Sequence, residues 1–290
     1  NYHAQRVALF GSERRLPELQ GPQSLARLIN WALLDLLAKH PQMIVFGQDV
    51  ARRGGVYGIT SKLAERAGPD RIFNTLLDEQ SILGLAIGAA HMGFLPVPEI
   101  QYLAYYQNAQ DQIRSEAATL SFFSQGKFLN PLVARIPSWS YQKGFGGHFH
   151  NDNSIASMRD LPGVVIASPS RGDDAVKMLR TALALAAMEG RVVLFLEPIA
   201  LYQTRDLYKK GDDGWRCRFP LPGEATELGK ARIYECSAPD ITIVSWANGL
   251  WRSLQASRQL ADQNKISAEV IDLRWLSPMD IEAVLEHGCR

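Results

Sequence analysis

What most limits this chain is a regular alternation, from Pro22 onward, of short apolar runs with longer segments whose apolar residues recur three and four positions apart. Leu25, Leu28, Ile29, Ala32, Leu33, Leu36 and Leu37 follow Gly21-Pro22 and stop before Pro41, which predicts a helix. A buried strand is expected over 43–46, and Gly54-Gly55 breaks the chain before a helical 61–67. A strand over 72–77 then leads into an Ala- and Gly-rich helix over 81–92. The pattern continues as strand 95–100, helix 106–124, strand 131–136, short helix 153–159, strand 164–167, helix 173–188 and strand 192–196. Such alternation predicts the α/β class: an open, mostly parallel sheet with helices on both faces.

The character changes over 203–229, where Lys209-Lys210-Gly211-Asp212-Asp213-Gly214 precedes Pro220 and Pro222, as expected of a connecting segment. Beyond it, strands are expected at 231–234, 241–246 and 268–273, with helices at 250–264 and from 279. The chain therefore divides into a linker or arm (1–21), a first α/β domain (22–202), the connecting segment (203–229) and a second α/β domain (230–290). The second domain is short for its class and its last helix lacks a C-cap, so it is read as truncated. Asn1 stands where an initiator Met is expected, so residues 1–21 are either a linker from something upstream or an ordinary proteolysed terminus.

Composition narrows the function. The longest apolar stretches fall short of the roughly 20 residues that cross a bilayer, so no membrane span is expected. Arg6, Arg14 and Arg15 sit near the N-terminus without the apolar core of a signal peptide. A formal charge of +1 gives no electrostatic excess for nucleic acid or an anionic membrane. Cys217, Cys236 and Cys289 have neither close pairing nor zinc-ligand spacing, which points to a reducing compartment, by default the cytoplasm.

Four segments put ionisable or aromatic groups where strands end and helices begin, the ligand-binding edge of open α/β sheets. In Leu77-Asp78-Glu79-Gln80-Ser81 two adjacent carboxylates precede a helix, and Asp78 or Ser81 suits its N-cap. Glu99-Ile100-Gln101-Tyr102-Leu103-Ala104-Tyr105-Tyr106 crowds tyrosines at a junction, either as core packing or as flat faces for a planar heterocycle. The turn Gly144-Phe145-Gly146-Gly147-His148-Phe149-His150-Asn151 alternates two imidazoles. No third ligand lies near them, so acid–base work suits them better than metal binding. The fourth is a buried strand, Ala268-Glu269-Val270-Ile271-Asp272-Leu273, running into Arg274-Trp275-Leu276-Ser277-Pro278, with structural duty the simpler reading. The Walker loop, the Gly-x-Ser-x-Gly elbow and the dinucleotide Gly-x-Gly-x-x-Gly are all missing, so nucleotide-phosphate and serine-hydrolase chemistry has no support.

In their order these segments resemble one family. Val45-Phe46-Gly47-Gln48-Asp49-Val50, Gly68-Pro69-Asp70-Arg71-Ile72-Phe73, the small-residue run 84–93, Asp111-Gln112-Ile113, Leu194-Phe195-Leu196-Glu197-Pro198 and Val270-Ile271-Asp272-Leu273-Arg274 carry the resemblance over nearly all of 22–290. It is to the beta subunit, or the beta-like half of a fused chain, of the thiamine-diphosphate-dependent decarboxylating component of 2-oxo acid dehydrogenase complexes. The resemblance implies a transketolase-like pyrimidine-binding domain followed by a transketolase C-terminal-type domain. It makes Glu79 the activating carboxylate, whose hydrogen bond to the aminopyrimidine nitrogen favours the imino tautomer. Tyr105 falls at the position that stacks on the pyrimidine, Leu77 and Gln101 at neighbouring pocket positions, with Tyr102 a further candidate. His150 matches the active-site histidine, and His148 adds a second imidazole where an apolar residue is usual.

The chain also departs from the pattern. His150-Asn151-Asp152-Asn153-Ser154 stands where the family has His-Ser-Gln-Ser, Gln48 stands for a Glu, and Ala104 for a common acid. Around 187–191 the residues that help some relatives hold potassium are missing, so no metal site is expected on this chain. The resemblance implies that the Mg²⁺ bridging to the diphosphate is held on an alpha-type chain or fused upstream domain, by a Gly-Asp-Gly and a downstream Asn that Asp212-Asp213-Gly214 does not reproduce. By the same resemblance the partners are that alpha-type half, a second beta unit and a lipoyl-bearing acyltransferase. The resulting expectation is oxidative decarboxylation of a 2-oxo acid with acyl transfer to lipoyl groups. The alternatives are a transketolase-like or synthase reaction on the same cofactor, or a catalytically silent assembly module.

Overall fold

Along the apolar runs, successive side chains fall alternately into two hydrophobic cores, one on each face of a sheet. The computed structural model describes residues 1–139, 147 and 150–288. Its elements are α1 (Tyr2–Phe10), α2 (Leu25–Lys39), β1 (Met43–Gly47), α3 (Leu63–Ala67), β2 (Ile72–Asn74), α4 (Glu79–His91), β3 (Leu95–Glu99), α5 (Leu103–Tyr106), α6 (Leu120–Phe123) and β4 (Leu132–Ser138). There follow α7 (Ala156–Arg159), β5 (Val164–Ala167), α8 (Gly172–Glu189), β6 (Val192–Pro198), β7 (Arg232–Tyr234), β8 (Ile241–Ser245), α9 (Asn248–Asn264), β9 (Ala268–Asp272), β10 (Trp275–Ser277) and α10 (Ile281–Gly288). A seven-stranded sheet runs β10-β5-β6-β4-β3-β1-β2, and a three-stranded sheet runs β7-β9-β8. In the larger sheet every pairing is parallel except β10 with β5.

Met43, Val45, Leu95, Val97, Val133, Val193 and Phe195 join the core with α2 and α8. Ile44, Phe46, Leu132, Ala134, Ile136, Leu194 and Leu196 join the other, with Ile82, Leu83 and Ala86 of α4. Burying both faces explains why these strands read as continuous apolar runs.

β3 is central yet carries Pro96 and Pro98, residues that cannot donate to a sheet ladder. Its pairing resolves this. β3 registers with β1 along its whole length, but with β4 only at Glu99↔Arg135. Ile100 N donates to Arg135 O at 3.0 Å, so the two-residue alternation turns positions 98 and 96 toward β4 as well. The missing donors thus all fall on the side where the ladder has opened.

Two expectations change in detail, and the linker or arm gains a structure. Within it residues 1–10 form a docked helix: Asn1 caps α1, and the buried Arg6 bonds to Asp35 of α2 and to both Glu18 carboxylate oxygens at 2.8 and 2.6 Å. The helix expected over 106–124 is broken. It starts at Leu103 and passes through a π segment, Gln112–Ala117, where Ser115 and Thr119 bond back to Asp111 and to the Ser115 carbonyl. Back-bonding hydroxyls of this kind compete with a regular helix. The strand expected over 72–77 ends at Asn74.

The unforeseen strand is β10. After β9 the chain returns to the edge of the seven-stranded sheet, and buried polar pairs fasten it there. Ser170 Oγ donates to Asp272 Oδ1 at 2.8 Å, and Asp174 receives Arg232 at 2.8 Å and Arg274 at 3.0 Å. Arg274 also donates to the Lys230 and Ala231 carbonyls, each at 2.9 Å.

Candidate active site

The links that leave β2, β3 and β4 at their carboxyl ends carry the chemically capable residues, on the edge where open parallel sheets bind ligands. After β2 the chain crosses 75–78 and enters α4. Asp78 caps that helix by accepting from Ser81 N at 3.2 Å and from the Ser81 hydroxyl, which leaves Glu79 in the first helical turn. A carboxylate there is favoured by the free amide hydrogens at the helix start. Asn108 Nδ2 donates to Glu79 Oε2 at 3.3 Å. Beside it Leu76 and Leu77 stand 80% and 67% exposed, apolar side chains left in solvent next to an acid.

From β3 the chain passes the half-buried Gln101 into α5, which carries Tyr102 at its N-cap and Tyr105 within it. The Tyr102 ring lies edge-on to the His150 ring at 4.4 Å between centroids, and Tyr105 Oη is 3.3 Å from His150 Nε2. The two tyrosine rings meet at 5.6 Å in a T-shaped pair. Tyr102, Tyr105 and His150 therefore form one cluster, while Leu77 and Glu79 share the neighbouring link. Residues 103–109 connect the two groups, since Tyr105 contacts His150 and Asn108 contacts Glu79. His148 lies outside the described residues.

Sequence reasoning missed the floor of the cluster. Arg135 of β4 is fully buried; Nε and Nη2 donate to the two oxygens of Glu197 at 2.6 and 2.8 Å, and Nη1 donates to Glu99 Oε2 at 2.8 Å. Tyr202 Oη donates to Glu197 Oε2 at 2.6 Å. Burial works against the Arg135 charge, but Glu197 and Glu99 more than offset it and hold the guanidinium above its ordinary value. Burial pushes Glu99 up despite Arg135. Burial and then Glu197 push the Tyr202 hydroxyl well up, so it stays a donor. A buried Arg that pairs with two carboxylates tolerates its desolvation only because every arm of its fork is used.

Over this floor sits the turn at Gly54 and Gly55, with φ of +77° and +74°. A Cβ on Gly54 would come 2.5 Å from the Ser61 backbone, and one on Gly55 would come 3.0 Å from Glu99 Oε1. Only glycine lets the backbone double back this close to the buried acid. The turn brings Tyr57 to 5.5 Å from the Tyr202 ring and 6.1 Å from the Tyr102 ring. The signal for Asn108 was available, because it follows Tyr105 by three residues and shares its helical face. Tyr57 and Tyr202 meet the cluster across long stretches of chain and gave no local signal.

Residues 22–203 match the family described as transketolase, pyrimidine binding domain, and residues 229–288 match transketolase, C-terminal domain. The chain is 34% identical over 262 residues to the 3-methyl-2-oxobutanoate dehydrogenase subunit beta of Mycobacterium tuberculosis, covering 90% of this chain and 70% of that protein. It is 32% identical over 267 residues to the pyruvate dehydrogenase E1 component subunit beta of Bacillus subtilis, covering 90% and 75%. Among solved structures, a split-gene transketolase described as an inactive beta4 tetramer superposes with a TM-score of 0.69 at 21% identity, covering 92% of this chain and 76% of that one, a likeness of fold.

Proposed function

Because the chain belongs to the family of 2-oxo acid dehydrogenase beta subunits, built on the transketolase pyrimidine-binding and C-terminal domains, we propose that it is the beta-type half of a thiamine-diphosphate-dependent decarboxylase acting on a 2-oxo acid. One observation carries most weight: the Glu79 carboxylate and the Tyr102–Tyr105–His150 cluster follow the carboxyl ends of β2, β3 and β4 in one sheet, with Tyr105 and Asn108 of one segment touching both. The residues fit the pyrimidine half of the cofactor, because the exposed Leu77 beside Glu79 offers an apolar flank and Tyr105 a flat aromatic face. When bound, thiamine diphosphate supplies the electron sink that lets a 2-oxo acid lose carbon dioxide.

The rest is the work of this chain's side chains. The Glu79 carboxyl holds a proton at the edge of the ring site, steadied by Asn108 on Oε2. Leu77, Gln101 and Tyr105 would hold the ring, with Tyr102 a further candidate. The His150 imidazole, held between Tyr102 and Tyr105, gives or takes a proton at Nε2 during acyl delivery. His148 is carried as a second imidazole for the same step. Mg²⁺ and the diphosphate belong, in this reading, to an alpha-type chain or upstream domain. A second beta unit and a lipoyl-bearing acyltransferase complete the assembly. A reducing setting such as the cytoplasm accords with Cys217 and Cys236, which are both free. No helix among the described residues is long and apolar enough to cross a membrane.

The test is to combine the chain with its alpha-type half, thiamine diphosphate and Mg²⁺, and to offer pyruvate and 3-methyl-2-oxobutanoate. Carbon dioxide release with lipoyl or dye reduction is expected for at least one acid. A ketol product without lipoyl or dye reduction would instead mean a transketolase-like or synthase reaction, and an inert, correctly assembled complex would mean an assembly module.

A further inference from the structure

The stretch of chain that ends at His150 starts from Trp139, and the second domain holds that start. Trp139 follows β4 with its backbone at φ +51°, the left-handed region that a bulky residue adopts only where its surroundings impose it. Just past β5, Ser168 Oγ accepts from Trp139 Nε1 at 2.8 Å, and Trp246 of the second domain meets the Trp139 ring edge-on at 6.2 Å between centroids. Asn248, the first residue of α9, donates from Nδ2 to the Trp139 carbonyl. A carbonyl only accepts, so the amide nitrogen must face it. Ser168 is tied to the link after β9 as well, its N donating to Arg274 O at 2.7 Å.

The turn that ends β8 is built to present these partners. Ser245 O accepts from Leu273 N at 2.9 Å, and Gly249 N donates to Trp246 O at 2.9 Å. A Cβ on Gly249 would come 2.0 Å from Ser245 Oγ, so only glycine lets the helix start fold this tightly onto the strand end. Ala247, between Trp246 and Asn248, is buried at φ +48°. Asn248 Oδ1 is buried without a hydrogen-bond partner among the described residues. Such an oxygen works against stability, so packing does not account for an amide here, and the bond to Trp139 does.

We propose that Asn248 is a positioning residue for the candidate active site: by holding the Trp139 carbonyl it fixes the direction in which the chain leaves β4, and so the placing of His150 between Tyr102 and Tyr105. At the far end His150 N donates to Gly147 O at 3.3 Å, and the two tyrosines flank the imidazole. The near end is held from the second domain. With the Asn248 donor lost, Trp139 relaxes out of the left-handed region, its carbonyl turns, and the chain sets out from β4 in another direction. Glu79, which follows β2, stays where it is. The claim rests on the function proposed above for its kinetic consequence, but not for its geometry. It goes beyond the site as the family resemblance draws it, since that assigns nothing to residues 139, 246 or 248 and gives the second domain no part in placing the histidine.

The experiment uses the protein assembled with its alpha-type half and compares wild type, Asn248→Leu and Asn248→Ala. Leucine keeps the size of asparagine and offers the Trp139 carbonyl no donor. The readouts are the rate of His150 modification by diethyl pyrocarbonate, mapped by mass spectrometry, kcat and KM for lipoyl-dependent turnover, and thermal unfolding. Loss of one such hydrogen bond is expected to raise His150 modification about threefold and to lower kcat about fivefold, with KM held within about twofold. The unfolding midpoint of Asn248→Leu should stay near that of wild type, because the substitution also removes the unpartnered Oδ1. A lower midpoint with kcat and His150 modification unchanged would make Asn248 purely structural and overturn the proposal, as would unchanged modification in both variants. Should Asn248→Leu fail to fold, Asn248→Ala removes the same donor and decides the matter alone; should neither fold, the proposal falls. If wild type turns over no 2-oxo acid, the proposed function falls, while the modification rates still decide the positioning role.

Discussion

The two halves of the site edge are built differently. The half around His150 rests on tyrosines that reach down, through Tyr202, to an Arg135 whose hydrogen bonds to Glu99 and Glu197 are all made inside this chain. Around Glu79 the construction is thin: one amide at 3.3 Å, a cap provided by Asp78, and two leucines standing mostly in solvent. Leucine exposed beside a carboxylate loses the transfer energy that burial would give it, roughly 1.5–3 kcal/mol for each side chain. The contrast separates a surface finished by its own chain from one that leaves apolar side chains in solvent. In the proposed function a flat ring and an alpha-type surface would cover the second.

The sharpest way to break this comparison is to remove the acid from the open half. Glu79→Ala in the completed assembly should lower decarboxylation on the order of 10²–10⁴-fold, the usual worth of a proton-handling side chain. Its melting temperature should stay near that of wild type, because so little of the fold leans on Glu79. Turnover within a factor of a few of wild type would remove Glu79 from the chemistry.

On the closed half the same kind of change should act on stability. Arg135→Met leaves Glu99 and Glu197 buried without their partner, and denaturant unfolding should show a loss of about 3–5 kcal/mol. A loss under about 1 kcal/mol would mean that the floor is not rigid and that the two halves differ less than their contacts indicate.

Much of this was legible in the residues, and for identifiable reasons. The α2 segment and strands β1, β4, β5 and β6 announce themselves because both faces of the sheet are buried and the periodicities are undiluted. The broken helix after β3 was not legible, since Gln112, Ser115 and Thr119 carry no apolar signal that tells a π segment from an α-helix. β10 was hidden in Arg274-Trp275-Leu276-Ser277-Pro278, which looks like a turn; its strand character comes only from the β5 edge that receives it. At the site, Glu79, Tyr105 and His150 stood out by position at strand ends together with the family resemblance. Tyr57 and Tyr202 did not, because their meaning lies in contacts that only the folded sheet creates.

The junction between the two sheets offers a pH test of the closed construction. Asp272 is fully buried; burial first, and then Asp174, push its carboxyl from 3.8 up to about 7, with Ser170 and Arg274 working the other way. A carboxyl whose folded value is raised contributes stability that is fully present below 3.8 and is lost as pH rises through about 7. Wild type should therefore lose stability between these values, by up to about 1.4 kcal/mol per pH unit from this group. Asp272→Asn should flatten that slope and, at pH 8, be the more stable protein by on the order of a few kcal/mol. Urea unfolding of both at pH 5 and pH 8 reads this directly, and parallel slopes would place the pH sensitivity elsewhere.

The smallest effect expected returns to the open half. Asn108 is exposed, and its hydrogen bond to Glu79 is long, so in the chain itself it contributes little: Asn108→Ala should change stability by no more than about 0.5 kcal/mol. Its value should appear only once the site is covered. A hydrogen bond that competes with water while exposed gains strength when water is excluded around it, and in the proposed function an amide on Glu79 Oε2 would then orient the carboxyl. Turnover of the assembled Asn108→Ala variant should accordingly fall about five- to tenfold while its unfolding curve overlays that of wild type. A stability loss without a kinetic one would reverse the assignment, making Asn108 part of the scaffold and leaving Glu79 to be oriented wholly from outside this chain.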